Sequence, residues 1–226
     1  MGLVSNLSVD RLSERMAGAT ERAITTVLER RGPAVVRTAD RLRAEHPGRS
    51  PAELARVAIA RTGKRVAGTG AVSALPATMP GVGTAVEVGA ALGDASLLTI
   101  AQTELVLLLA HLYGRPVTAI DARRLDVLMA MGVEVGVVDL RRNGVVRVMG
   151  TDHRDGELAG EAGVALTKRI SRRLAAQVAG KLARRRAYVL LGREVPLVGI
   201  GLAAGYNLWS TRKLGRAARA YFHHVA

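Results

Sequence analysis

Between Arg65 and Arg115 the chain contains no Lys or Arg, although it has 33 of them in 226 residues. The run from Val66 to Gly114 holds three formal charges, Glu87, Asp94 and Glu104. Cations are the residues most easily left at a wet surface and among the costliest to bury. A basic chain that clears them from so long a run is hiding that run from water. Protein core and lipid are the two available shelters, and the choice between them bears directly on function.

A second stretch repeats the pattern more briefly. Val195 to Thr211 is 17 uncharged residues between Glu194 and Arg212. A membrane-crossing helix needs about 20 apolar residues, so this stretch sits at the short limit and suits a core helix equally well. Pro80-Gly81-Val82-Gly83 followed by Gly89, and Pro196-Leu197-Val198-Gly199 followed by Gly205, share the form P-x-V-G-x5-G. Each stretch also carries a G-x-x-x-G pair, Gly89/Gly93 and Gly201/Gly205. Such a pair leaves a flat strip on which another helix can pack closely, in membranes or in tight bundles in water. These four are the expected helix-packing glycines.

The remaining order reads as helices. Val9 to Arg31 has apolar residues at 3–4 spacing and is expected to stop at Gly32-Pro33, with a second short helix from Ala34 to Glu45. Ser50-Pro51-Ala52-Glu53 is a capping box with proline at the first helical position. Leu75 to Gly83 contains two prolines and two glycines and reads as an apolar turn. From Thr84 a long helix is expected to reach Leu112, closed by Gly114. At about 100° per residue, Glu87 and Asp94 share one line of that helix and Glu104 and His111 another nearby. With Asn207 they form an expected buried polar stripe, either a proton or cation site or a network that fixes helix register. Val117 to Leu140 reads as a further helix, although Val135–Val138 and Val145–Val148 could pair instead as a β-hairpin. Residues 150–163 read as a linker.

Charge is uneven along the chain. Residues 164–226 hold 13 basic groups against one acid, and residues 1–65 hold 13 against seven. Val164 to Leu191 reads as a strongly basic helix. Lys168, Arg169, Arg172, Arg173, Lys181, Arg184, Arg185 and Arg186, with Arg212 and Lys213 further on, are the expected contacts to an anionic surface. Phospholipid is favoured over nucleic acid, because aromatic residues are 3% of the chain and single-strand binders stack bases on aromatic rings.

Catalytic chemistry has little foothold. Cysteine is absent, which removes disulfides, thiolate metal sites and cysteine nucleophiles. Gly63-Lys64 lacks the spacing of a phosphate loop, and neither G-x-S-x-G nor H-E-x-x-H occurs. No metal or cofactor is expected, and no enzyme; were there one, Asp94, Glu104 and His111 would be its candidates. The opening residues lack an apolar core of signal-peptide length, so secretion is not expected.

Leu75-Pro76, Met79-Pro80-Gly81-Val82-Gly83, Gly93-Asp94 and Leu112-Tyr113-Gly114, in that order, resemble the bacterial EcsC family. Arg123-Arg124-Leu125-Asp126-Val127-Leu128 and the closing Gly205-Tyr206-Asn207 with Ala217-Ala218-Arg219-Ala220-Tyr221 extend the likeness over roughly residues 50–225. The resemblance implies an all-helical protein on the cytoplasmic side, often linked with membranes or transporters, with no established activity.

The expectation is therefore an all-α, multi-helix bundle with two Gly/Ala/Pro-rich apolar segments. It comprises N-terminal amphipathic helices over 1–48 and an EcsC-like helical domain over 49–226. Its expected role is non-catalytic, at the cytoplasmic face of a membrane, binding anionic lipid or an acyl chain as a homo-oligomer that could assist a membrane protein such as a transporter. A soluble homo-oligomeric scaffold is the first alternative, and a nucleic-acid binder using helix 164–191 the second.

Overall fold

The computed structural model describes residues 3–73, 84–115, 120–148, 150–154, 170–171 and 196–225. Within them, side chains are described for 24–68, 97–115, 122–148, 150–154, 170–171 and 204–225, apart from Met149. The described residues form α1 (Leu3–Glu45), α2 (Pro51–Ser73), α3 (Thr84–Leu112), α4 (Ile120–Val135), β1 (Val138–Leu140), β2 (Val145–Val148), β3 (Thr151–Arg154) and α5 (Pro196–Val225). The fold is mostly α-helical, with one small antiparallel sheet in the order β1-β2-β3.

The C-terminal third of α3 is the axis of the core. Leu105, Val106, Leu107, Leu108, Leu109 and Ala110 are six successive buried residues. A helix buried over six consecutive positions has no solvent face, which is the arrangement expected of one that is apolar all round. For this part of the cation-free run the shelter is protein. Ile24, Val27 and Leu28 of α1, Leu54, Ala58 and Ile59 of α2, Val127 and Met129 of α4, and Leu214, Tyr221 and Phe222 of α5 complete one continuous core. Residues on both sides of the expected boundary at 48 thus share it.

Helix directions follow from paired residues. Arg31 meets Glu104 and Arg43 meets His111, so α1 runs parallel to α3. Gln102 bonds Ser210 and Tyr113 stacks on Phe222, so α5 also runs parallel to α3. Gly63 faces Leu208 while Gly215 faces Ile59, so α2 runs the other way.

Several boundaries agree with the sequence. At Ser50 the backbone N–H donates to Glu53 Oε2 at 2.9 Å, and the Glu53 N–H points back to Ser50 Oγ at 3.4 Å. Helix α3 closes with Gly114 at φ +83°, Gly114 N–H on His111 O and Arg115 N–H on Ala110 O. This paired closure satisfies the last carbonyls and needs a left-handed residue at its corner.

Three expectations are corrected. Helix α1 does not stop at Gly32-Pro33 but passes through Pro33. An internal proline costs about 3 kcal/mol. Pro33 itself is exposed, whereas Val35, Ala39 and Leu42 beyond it are buried in the core. At roughly 1.5–3 kcal/mol for each large apolar side chain buried, continuing the helix outweighs breaking it. Helix α4 ends at Val135 rather than Leu140, with Gly136 at φ +77° and Val137 N–H bonded to Gly132 O. The hairpin that was the lesser alternative forms instead. Asn143 and Gly144 both take positive φ, the geometry of the tight turn whose twist matches paired strands. Val138, Val146 and Val148 then fall on one buried face. Finally, the start of the expected linker is strand: Thr151–Arg154 pairs with β2.

Candidate functional site

Because α2 opposes α3 and α5, their cation-free ends point the same way. Residues 66–73 of α2, 84–103 of α3 and 196–211 of α5 carry no Lys or Arg and extend towards one end of the bundle. Helix α1 also runs to that end and brings Arg11, Arg15 and Arg22 with it. A belt of charge marks where the cation-free lengths begin. Glu104 there accepts from Arg31 Nη1 at 2.6 Å and Arg65 Nη2 at 3.3 Å, joining three helices through one carboxylate. Its side chain is 16% exposed while the two arginines are more than half exposed, so the anion sits inside and the cations face water.

Aromatic side chains lie at the same level on α5. Tyr206 and Trp209 are exposed, Trp209 by 51%, and their ring centroids are 6.1 Å apart. Lys213 Nζ stands 5.5 Å from the Trp209 ring and 3.1 Å from Glu134 Oε1, so the cation is held against the indole by a carboxylate on α4. Leu97, near the matching height of α3, is exposed by 59%. The chain has one Trp, four Tyr and one Phe, and its sole indole lies on the surface. A large amphipathic ring left half in water is the side chain that membrane interfaces and protein contacts favour.

The opposite end is closed by polar chemistry. Asp126, buried on α4, accepts from Arg115 Nη1 at 2.8 Å and Tyr221 Oη at 3.2 Å through Oδ1, and ion-pairs Arg123 through Oδ2. His224 Nε2–H donates to Val145 O at 3.0 Å and ties the end of α5 to the sheet. The family likeness was drawn partly on Arg123 to Leu128, but neither charge periodicity nor motif singled out the Asp126 cluster. Its signal is an Arg-Arg-Leu-Asp run on a helix whose other charges are Asp121 and Glu134.

The expected site residues divide as follows. Glu104 and His111 lie two turns apart on α3, yet Glu104 pairs with arginines of other helices and not with His111. The His111 carbonyl accepts from Arg43 Nη2 at 3.1 Å. Partial burial first, and Arg43 second, depress the His111 pKa below its ordinary value. Asn207 is buried. Gly205 is exposed, and among the described residues a Cβ there would meet nothing within 4 Å, so the packing role expected of it is not seen. Close approach of α2 and α5 is made instead by Gly63 and Gly215. Arg212 is exposed, whereas Lys213 is engaged by Glu134 and Trp209. The side chains of Glu87, Asp94, Gly89, Gly93 and Gly201 lie outside the described residues. So do Lys168, Arg169, Arg172, Arg173, Lys181, Arg184, Arg185 and Arg186. Ile170 within that basic segment is itself fully buried in the core.

Among the described residues no helix is long and apolar enough to cross a membrane, and no group of three His, Asp or Glu could hold a metal ion. No family model matches the chain, and neither a curated protein nor a solved structure matches it.

Proposed function

We propose that the chain is a non-catalytic peripheral protein of the cytoplasmic membrane face that binds anionic lipid at the end of the bundle to which the cation-free lengths of α2, α3 and α5 extend. The observation that carries this reading is the exposed Tyr206–Trp209 pair beside Lys213, at the level where the cation-free lengths of α2, α3 and α5 begin. Trp and Tyr prefer the boundary between headgroups and hydrocarbon. Exposed Lys64, Arg65 and Arg212 lie at the same height, and each cation near an anionic leaflet contributes about 1 kcal/mol. Glu87 and Asp94 on α3 would each cost about 2.5–3.5 kcal/mol at a bilayer centre, which favours shallow seating over deep insertion. The EcsC resemblance agrees with this reading, and extends it to assistance of a membrane protein.

Because Trp209 is the sole tryptophan, its emission reports on this end alone. Added phosphatidylcholine vesicles containing phosphatidylserine should shift the emission to the blue, with reversal by salt. A soluble homo-oligomeric scaffold would instead show blue-shifted emission without lipid, varying with protein concentration. An indole that ignores acidic vesicles ends the membrane reading.

A further inference from the structure

We infer that the groove between α1 and α2 binds a phosphate monoester, or an equivalent dianion, carried on a short apolar stem. The groove has a volume of about 230 Å³, a floor of Leu42, Ala58 and Leu108, and three guanidinium groups on its walls, Arg41 from α1 and Arg61 and Arg65 from α2. Arg61 and Arg65 are four residues apart and so share a helix face, opposite Arg41 across the cleft. Glu45 is the acid among the lining residues, leaving the walls with an excess of positive charge.

The three arginines differ in commitment. Arg65 reaches Glu104 at 3.3 Å, and Arg61 reaches Glu45 at 2.5 Å with its other Nη facing His46 Nε2 at 3.4 Å. Arg41 is exposed and makes no hydrogen bond or ion pair among the described residues. Its planar fork of donors is therefore free for a bidentate oxyanion, the geometry in which Arg exceeds Lys. The Arg61–Glu45 pair is solvent-exposed and screened by water, so its guanidinium can turn to a dianion at little cost. The Thr38 hydroxyl donates to Ala34 O, while Thr62 also lines the groove and adds a hydroxyl beside the three guanidinium groups. Pockets for whole drug-sized ligands run to about 300–1,000 Å³, so this smaller groove suits one charged group and a few carbons of its stem.

The phosphate could belong to a lipid headgroup or to a soluble ester, and only the first source rests on the membrane reading. The test uses the full chain and the variants Arg41→Gln and Arg142→Gln, the latter removing an equal charge from the exposed β1–β2 turn. Calorimetric titration with monobutyl phosphate, a phosphate monoester on a short apolar stem, needs no membrane. Binding should weaken about tenfold in Arg41→Gln, as for loss of one charge-assisted bidentate contact, and change less than twofold in Arg142→Gln. Vesicles containing phosphatidic acid are then compared with vesicles of equal charge containing phosphatidylserine. A selective loss for phosphatidic acid in Arg41→Gln assigns the headgroup as the source. Loss confined to the soluble ester assigns a free ligand. No binding of the ester by the unaltered chain, or equal weakening in both variants, overturns the site even where Trp209 still reports vesicle binding.

Discussion

Gly215 and Ile59 touch where α5 crosses α2: a Cβ on Gly215 would stand 2.6 Å from Ile59 Cγ1. Ile is stiff at its branched carbon, so relief requires the helices to separate. Gly215→Ala should gain about 1 kcal/mol of helix propensity and lose about 1–3 kcal/mol to overpacking, for a net loss. Gly205→Ala, on the exposed part of the same helix, should gain about 1 kcal/mol with nothing to offset it. Urea unfolding of the pair should give shifts of opposite sign; a stabilised Gly215→Ala would refute this account of the crossing.

Asp126 should be the most sensitive polar position in the core. Asp126→Asn leaves Arg123 buried and Arg115 mostly so without their shared anion, and breaking such a cluster costs about 3–5 kcal/mol. Tyr221→Phe removes one hydrogen bond to the same carboxylate and should cost about 1–2 kcal/mol. Chemical denaturation should rank them in that order.

Glu104 joins α1, α2 and α3 at the charge belt, but through arginines that are largely in water. Glu104→Gln is therefore expected to cost only about 1 kcal/mol, and less at high salt. Hydrogen exchange should speed up at α1 around Arg31 and leave Leu105 to Leu109 protected. A loss rivalling Asp126→Asn would mean that Glu104 serves the core.

These contrasts separate what neighbouring residues determine from what depends on packing between distant helices. The capping box at Ser50 and the closure at Gly114 depend on a few neighbouring residues, so the sequence carries them whole. Pro33 misled because its local cost is visible, while the burial of Val35, Ala39 and Leu42 that outweighs it depends on α3, distant in sequence. Asn143-Gly144 was visible, but only the buried face of Val138, Val146 and Val148 decides between hairpin and longer helix. The G-x-x-x-G pairs are visible along the chain, but of their glycines Gly205 makes no close contact among the described residues, and the α2–α5 crossing there uses Gly63 and Gly215, isolated glycines whose partners lie on another helix. Glu104 could be placed on a polar line by periodicity, yet nothing along α3 indicates that its partners are Arg31 and Arg65.

Two groups with depressed pKa values give separable pH windows. Partial burial, then Arg43, lowers the pKa of His111, against a smaller opposing pull from Asp40. The unfolded chain therefore takes up this proton first, below about pH 6.5, while the folded chain resists it. Stability should be level above that pH and fall as pH drops towards the folded pKa, and His111→Gln should flatten this portion of the curve. Glu53 is lowered by its hydrogen bonds with Ser50. Its contribution is present above the ordinary carboxylate range, near 4.5, and is lost as pH falls through the folded value. Glu53→Gln should leave the His111 window unchanged.

Trp209 offers the sharpest separation of stability from function. Its ring is half exposed, and the cation over it, Lys213, contributes about 0.5–1 kcal/mol at an exposed site. Trp209→Ala should therefore shift the unfolding midpoint only slightly. An indole presents about 250 Å². Covering the exposed half at about 25 cal/mol per Å² amounts to roughly 3 kcal/mol. Shallow seating that realises half of this corresponds to about a tenfold loss of affinity for acidic vesicles in Trp209→Ala. Arg212→Gln, which removes charge at the same height, should instead weaken binding mainly at low salt. If Trp209→Ala unfolds the chain, the indole is a core residue; if it leaves vesicle affinity intact, this end of the bundle does not meet the lipid.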